Sequence, residues 1–257
     1  MKVLRYITTL IIIVSLVHLT SSIVSFSKEI IILKDSQLKA KIKAERMLHP
    51  AVKITSIAII TSSESNKQEY ATLSAATGFS VKYYPKTNES LLVTNAHFCE
   101  INMPGVSFIV EDHKKSSLEL NSAYLSGTVV LSKPSLDLCL IKADGYIKPA
   151  KLASYHYNPM PFEEIYVVGG PSGTFPIIID TYISSILDRS SVDLGKISSS
   201  GNDLILISEQ VFPGHSGSPI FTKDGEIIGI IFGALRSYGG LAVSVKDIYK
   251  IMEEIEE

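Results

Sequence analysis

The sequence predicts an all-β protein framed by a helix at each end. Three observations carry that reading. Short runs of β-branched and aromatic residues follow one another from about residue 50 onward. Turn residues separate them at close spacing, the pattern of a barrel or sandwich. The chain's flanks depart from this pattern, with a charged, helix-prone lead-in and a closing segment whose apolar residues recur at helical spacing.

In chain order, residues 1–26 open with Lys2 and Arg5 and continue with the apolar stretch Leu10 to Val17. A basic start, a short apolar core and small residues from Thr20 to Ser25 have the form of a signal peptide. An uncleaved anchor is the competing reading. Ile7 to Phe26 is long enough to span a bilayer, but Thr8, Thr9, Ser15 and His18 dilute its hydrophobicity. The signal peptide is favoured, and both readings place the rest of the chain outside the cytoplasm: secreted, periplasmic or membrane-anchored.

Residues 27–48 form the helical lead-in. Residues 49–148 carry the first set of strands: Val52–Ile60, Ala71–Tyr84, Leu91–Thr94, Val106–Val110, Ser122–Leu131 and Leu138–Lys142. Within this set, Pro85 to Ser90 reads as a hairpin turn. Residues 149–162, with Pro149, Pro159 and Pro161, are a crossover. Residues 163–245 repeat the pattern in Ile165–Val168, Ile177–Ser184, Leu204–Ser208, Ser218–Phe221, Ile227–Phe232 and Gly240–Val245. Thr222-Lys-Asp-Gly225 supplies an Asp-Gly hairpin signal. Residues 246–257 are the closing helix, with Ile248, Tyr249, Ile251, Met252 and Ile255 on one face.

A hydrophobic content of 46% is ample for a core, and a net charge of −2 without a long basic run argues against nucleic acid as a partner. Lys39, Lys41, Lys43 and Arg46 read as a solvated helical face. Neither a metal-ligand cluster nor a phosphate-binding glycine loop is visible, so no metal and no cofactor is expected. Two cysteines, Cys99 and Cys139, are too few for a disulfide scaffold. They are expected to be buried thiols, with a bridge between them as the alternative.

Chemistry concentrates in three segments. Val211-Phe-Pro-Gly-His-Ser-Gly-Ser-Pro-Ile220 sets Ser216 between two glycines. Such a turn exposes a hydroxyl and leaves the N–H groups of Gly214 and Ser216 free to point at one spot. Leu91-Leu-Val-Thr-Asn-Ala-His97-Phe-Cys99 supplies a histidine, and Ser135-Leu-Asp137-Leu-Cys-Leu-Ile141 an aspartate. Order separates the known nucleophile–base–acid arrangements. No histidine follows Ser216, which excludes the order Ser, acid, His. Only Asp35 precedes His97, in the charged lead-in, which argues against the order Asp, His, Ser. The order His, Asp, Ser remains. His215, beside the serine, is a rival base, but neighbours on an extended turn point to opposite sides, so it reads as a loop residue.

On these motifs the chain resembles the chymotrypsin/trypsin-like serine proteases, closest to their HtrA-like and bacterial branch. Val93 to His97 is similar to that family's T-x-A-H strand end. Ser135 to Ile141 is similar to its D-[IL]-A-L-[LI] motif, and Gly214 to Pro219 to its G-[DN]-S-G-[GS]-P motif. Ala76 to Ser80, Tyr166 to Gly173 and Gly225 to Ile231 are weaker matches. The likeness covers roughly residues 50–250 and leaves no stretch for a PDZ domain, which many HtrA-like proteins carry.

The resemblance implies two six-stranded antiparallel β-barrels, residues 49–148 and 163–245, with the site at their interface. It implies an endopeptidase acting on protein or peptide substrates. Its catalytic residues would be His97, Asp137 and Ser216, and its oxyanion hole the N–H groups of Gly214 and Ser216. The substrate pocket it implies is lined by neutral Gln210 and by apolar Val211, Ile231, Phe232 and Ala242, without a buried carboxylate. That predicts cleavage after small or medium aliphatic residues. His215 stands where digestive members carry the aspartate that pairs with a new N-terminus, so that mode of activation is not expected. A catalytically silent member used for binding is the alternative, and association with a membrane would run through residues 7–26.

Overall fold

The computed structural model describes residues 33–61, 68–100, 106–116, 119–193 and 201–255. Residues 1–26, on which the signal or anchor expectation rests, lie outside them. Among the described residues, no helix is long and apolar enough to cross a membrane. Two compact units divide at residue 45. In the first, residues 33–45 belong to a helix, α1, that spans 33–48. Leu33, Leu38 and Ile42 are exposed on it, and Asp35 pairs with Lys39 one turn on.

The second unit holds two β-barrels. The first is closed in the order β1-β2-β3-β6-β5-β4. Its strands are β1 (Ala51–Thr61), β2 (Gln68–Tyr84), β3 (Glu89–Thr94), β4 (Val106–Ser116), β5 (Glu119–Lys133) and β6 (Leu138–Asp144). All its pairings are antiparallel. The hairpin between β2 and β3 turns at Asn88, whose φ of 55° lies in the left-handed region that asparagine tolerates.

The second barrel runs β8-β9-β10-β13-β12-β11 and is closed by β11 pairing with β12. Its strands are β8 (Glu164–Gly169), β9 (Ile177–Leu187), β10 (Leu204–Ile207), β11 (Pro219–Thr222), β12 (Glu226–Ala234) and β13 (Gly240–Ser244). A two-residue strand, β7 (Lys151–Leu152), joins the edge of β12 in parallel. It lies inside the segment read from its prolines as crossover alone. Gly225, at φ 80°, completes the Asp-Gly turn between β11 and β12.

β3 and β6 show why their sequences read as continuous apolar runs. Successive side chains leave a strand on opposite faces. Leu92, Cys139 and Ile141 fill the first barrel with Val52, Ile54 and Val110. Leu91, Val93, Leu138 and Leu140 face outward onto Val168, Phe221, Ile230 and Val243 of the second barrel. Both faces are buried, which favours apolar side chains except where a hydroxyl is hydrogen-bonded, as at Ser90 and Thr94.

The same inter-barrel core takes Met47 from the last turn of α1. It also takes Ile248 and Ile251 from the terminal helix α3 (Val245–Glu253), which Ser244 caps by accepting from the Lys246 N–H. Beneath α3, Asp247 is fully buried and accepts from Arg189 and from the Asn202 side chain. This pairing compensates two charges removed from water.

Candidate active site

β3 ends at Thr94, and the chain turns through Asn95 into a one-turn helix, α2 (Ala96–Cys99), which carries His97. Asp137 sits in the turn between β5 and β6, at φ 54°. A non-glycine residue held there is a strained position, and several bonds fix it. The Asp137 N–H donates to Pro134 O at 3.1 Å, and the Asn95 amide donates to Asp137 O at 3.0 Å. Its carboxylate accepts the His97 backbone N–H at 2.9 Å and faces His97 Nδ1 at 2.8 Å.

The carboxylate is nearly buried, at 5% side-chain exposure, whereas the imidazole is 48% exposed. The hydrogen bond to Asp137 raises the His97 pKa above its ordinary value, against the opposing effect of burial. With Nδ1 carrying the proton toward Asp137, Nε2 is an acceptor, and it lies 3.0 Å from Ser216 Oγ. Residues far apart in the chain thus form one hydrogen-bonded line of carboxylate, imidazole and hydroxyl. Such a line can take the hydroxyl proton onto the ring as the oxygen attacks an electrophile.

Cys99 and Cys139 are joined in a disulfide, which overturns the expectation of buried thiols. The cause is register. β3 and β6 place Thr94 opposite Cys139, and the turn of α2 brings Cys99 back over that pair. The bridge therefore ties the helix bearing His97 to the strand that follows Asp137.

Ser216 lies on a loop whose glycines are forced. Gly214 has φ 98° and Gly217 φ 82°. A Cβ on Gly214 would come within 2.2 Å of Gly170 O, and one on Gly217 within 1.8 Å of Thr77 O. Every carbonyl from Pro213 to Ser216 has a donor. Ser172 N–H holds Pro213 O, and Thr77 Oγ1 holds Gly214 O. Ser218 N–H holds His215 O, and Thr77 N–H holds Ser216 O. The N–H groups of Gly214 and Ser216 donate to nothing among the described residues. A loop with its carbonyls tied back and two N–H groups free is set to receive an anion.

His215 is buried, at 2% exposure, and its Nδ1 accepts the Phe212 N–H at 2.9 Å. Burial lowers its pKa. Its ring belongs to its own turn and makes no hydrogen bond to Ser216 or Asp137.

Of the five residues expected to line a substrate pocket, Val211, Ile231 and Ala242 come together in the core of the second barrel. Ile231 and Ala242 are paired across β12 and β13 and fully buried, and Val211 is partly buried. A Cβ on Gly240 would meet Val211 Cγ1 at 2.7 Å, so the valine lies over that glycine. Phe232 packs instead against the inter-barrel core, and Gln210 is exposed.

Sequence reasoning passed over Asn95, Thr77 and Ser172, all of which hold parts of this constellation. All three lie within the matched motifs, but nothing local signals that the Thr77 hydroxyl has a partner 137 residues away.

A family model for the trypsin-like peptidase domain matches residues 76–230. A "Serine protease HtrA-like" of Staphylococcus epidermidis is 29% identical over 188 residues, covering 67% of this chain and 30% of that protein. A protein of the same name from Staphylococcus aureus is 27% identical, over 67% of this chain and 23% of its own length. "Serine protease HTRA1A" of Danio rerio is 28% identical over 182 residues, 70% of this chain and 34% of that protein. The chain thus spans about a third or less of each of these relatives.

Proposed function

From the premise that this chain belongs to the trypsin-like peptidase family, we propose that it is an exported serine endopeptidase working through His97, Asp137 and Ser216. The single observation that carries the reading is His97, whose two ring nitrogens reach Asp137 at 2.8 Å and Ser216 at 3.0 Å.

Ser216 Oγ attacks the substrate carbonyl as His97 Nε2 takes its proton. The negative charge that develops on the carbonyl oxygen is met by the N–H groups of Gly214 and Ser216, each worth roughly 3–4 kcal/mol to the transition state. His97 returns the proton to the departing amine, leaving an acyl group on Ser216. A water, deprotonated by His97, then releases the acyl group. Asp137 holds the ring with its proton on Nδ1 and stabilises the imidazolium in both halves of the reaction.

The pocket reading is part of the proposal. Val211 over Gly240, with apolar Ile231 and Ala242 behind, favours a small or medium aliphatic residue before the cleaved bond. Apolar pockets discriminate by only about 1–3 kcal/mol per methylene, so the preference is broad. Export rests on Lys2, Arg5 and the apolar stretch from Leu10 to Val17. Amino-terminal sequencing of the mature protein should then begin between Ile23 and Lys28.

The decisive mutation is Ser216→Ala. It removes one oxygen and should lower peptidase turnover by about 10⁶-fold while leaving the fold intact. Retention of more than a few per cent of wild-type rate would refute Ser216 as nucleophile.

A further inference from the structure

We infer that Thr77 is a positioning residue for the oxyanion-binding loop: its side-chain hydroxyl, supplied by the first barrel, holds the backbone around Gly214 in the orientation that leaves the Gly214 N–H free. This rests on the reading of Ser216 as nucleophile and assigns a residue to that same site.

The placement starts with strand lengths. β2 pairs with β1 through Thr77, but its pairing with β3 begins only at Phe79 opposite Val93. At Thr77 the edge that β3 would occupy is therefore open, and the Ser216 loop takes it. Thr77 N–H donates to Ser216 O at 2.8 Å, and Thr94 Oγ1 donates to Thr77 O at 2.8 Å. Thr94 stands three residues before His97, so one hydrogen-bonded path links the histidine strand to the serine loop.

The hydroxyl adds what the backbone cannot. A threonine hydroxyl has one proton to give and lone pairs to receive with. Thr77 is fully buried, and its Oγ1 gives its proton to Gly214 O at 3.0 Å and accepts the Gly170 N–H at 3.1 Å. Gly170 leads into the turn Pro171–Gly173, whose Ser172 N–H holds Pro213 O at 2.8 Å.

Two peptide planes meet at the Gly214 Cα. The plane after it is held by Thr77 directly. The plane before it is held by Ser172, whose turn is anchored on Thr77 through Gly170. In a trans peptide the N–H points opposite to the C=O. Holding Pro213 O toward Ser172 therefore aims the Gly214 N–H the other way. Glycine at φ 98° has no side chain to oppose rotation of either plane; within the loop the His215 N–H donates to Phe212 O at 3.0 Å, and from outside it Thr77 and Ser172 hold the two carbonyls. Among the described residues, Thr77 is the only one whose side chain bonds to a loop carbonyl from Pro213 to Ser216. Without the hydroxyl, the buried Gly170 N–H is left unpaired and the half-buried Gly214 O loses its donor, a state a peptide flip would relieve.

The test compares Thr77→Val, which keeps the shape and loses the hydroxyl, with Thr77→Ser, which keeps it. Both retain the backbone bond to Ser216 O. The readouts are kcat and KM on a fluorogenic peptide with valine before the cleaved bond, inhibition by the matching peptide boronate, and thermal melting. Thr77→Val is expected to lose about ten- to a hundredfold in kcat, less than removal of an oxyanion donor outright. Its KM should stay within about threefold, and boronate affinity should fall by the same factor as kcat. Thr77→Ser should stay within about threefold of wild type in all three. If Thr77→Val does not fold, Thr77→Ala carries the same expectation.

Wild-type kcat in the folded valine or alanine variant overturns the inference, as does an equal loss in Thr77→Ser, or a loss that only follows the fraction unfolded. If Ser216→Ala is inactive in those cases, the serine protease reading stands and Thr77 alone is misassigned. If Ser216→Ala is active, the reading itself has failed.

Discussion

The two barrels contribute unequal halves to the site. The half from the first barrel is complete in itself. His97 and Asp137 bond to each other twice, Asn95 ties the aspartate turn, and the Cys99–Cys139 disulfide fastens the elements that carry them. The half from the second barrel is borrowed. Ser216 lies on a loop whose glycines have no intrinsic preference, and two of its four carbonyls are held by Thr77 of the first barrel. The His97–Asp137 geometry is thus fixed within one barrel, whereas the placement of Ser216 and of the two free N–H groups depends on the barrels staying docked through the Leu91, Leu138, Val168 and Phe221 core.

Breaking the first half should be the most damaging change. His97→Ala removes the proposed base and should fall to the floor set by Ser216→Ala, about 10⁶-fold below wild type in turnover. Asp137→Asn keeps the shape but lets the ring adopt the wrong tautomer, and about 10⁴-fold is expected. It also carries a pH signature. The proposed mechanism requires neutral His97, and Asp137 raises its pKa above the ordinary 6.5, so wild-type kcat/KM should rise with pH through a midpoint above that value. Activity is lost as pH falls below that midpoint, because the ring is then protonated and cannot accept. In Asp137→Asn the residual activity should titrate at lower pH, and an unmoved midpoint would show that another group controls the profile.

Less damage should follow from cutting the covalent tie. A crosslink over a sequence separation of 40 residues is worth about 3–4 kcal/mol in the chain-entropy account. The double variant Cys99→Ser with Cys139→Ser should show that loss in urea unfolding. Its turnover should stay within about tenfold at low temperature, because the hydrogen bonds around Asp137 remain. A much larger activity loss in protein that is still folded would mean that the bridge, more than those bonds, sets the geometry.

The smallest effect is expected at His215. Its ring bonds to the Phe212 N–H and not to Ser216. An asparagine side-chain oxygen can accept that N–H, so His215→Asn should remain within about tenfold of wild type in kcat. Inactivity comparable to that of His97→Ala would make His215 a participant.

The same asymmetry governs what could be read in the chain. The strands of both barrels were legible because β-branched runs such as Leu204–Ile207 and Ile227–Phe232 are bounded by turn residues, and because Asp224-Gly225 marks a hairpin. The three segments bearing His97, Asp137 and Ser216 were legible because each has a local signature. The disulfide was not, since β3–β6 register and the turn of α2, rather than spacing, bring Cys99 to Cys139. Strand β7 was hidden because two residues against an edge leave no periodicity. Thr77 was hidden for the reason that makes it informative: its hydroxyl is used by another barrel, and a buried threonine on a strand looks the same in sequence whatever it bonds.

Above all, Ser216 is proposed to be an activated nucleophile facing a formed oxyanion site. Treatment of the folded protein with a fluorophosphonate, followed by proteolytic mapping and mass spectrometry, tests it directly. One covalent adduct is expected, on the peptide containing Ser216, absent from Ser216→Ala and slowed at pH values below the His97 titration. Folded wild-type protein that takes up no label, or that is labelled at a different serine, would contradict it.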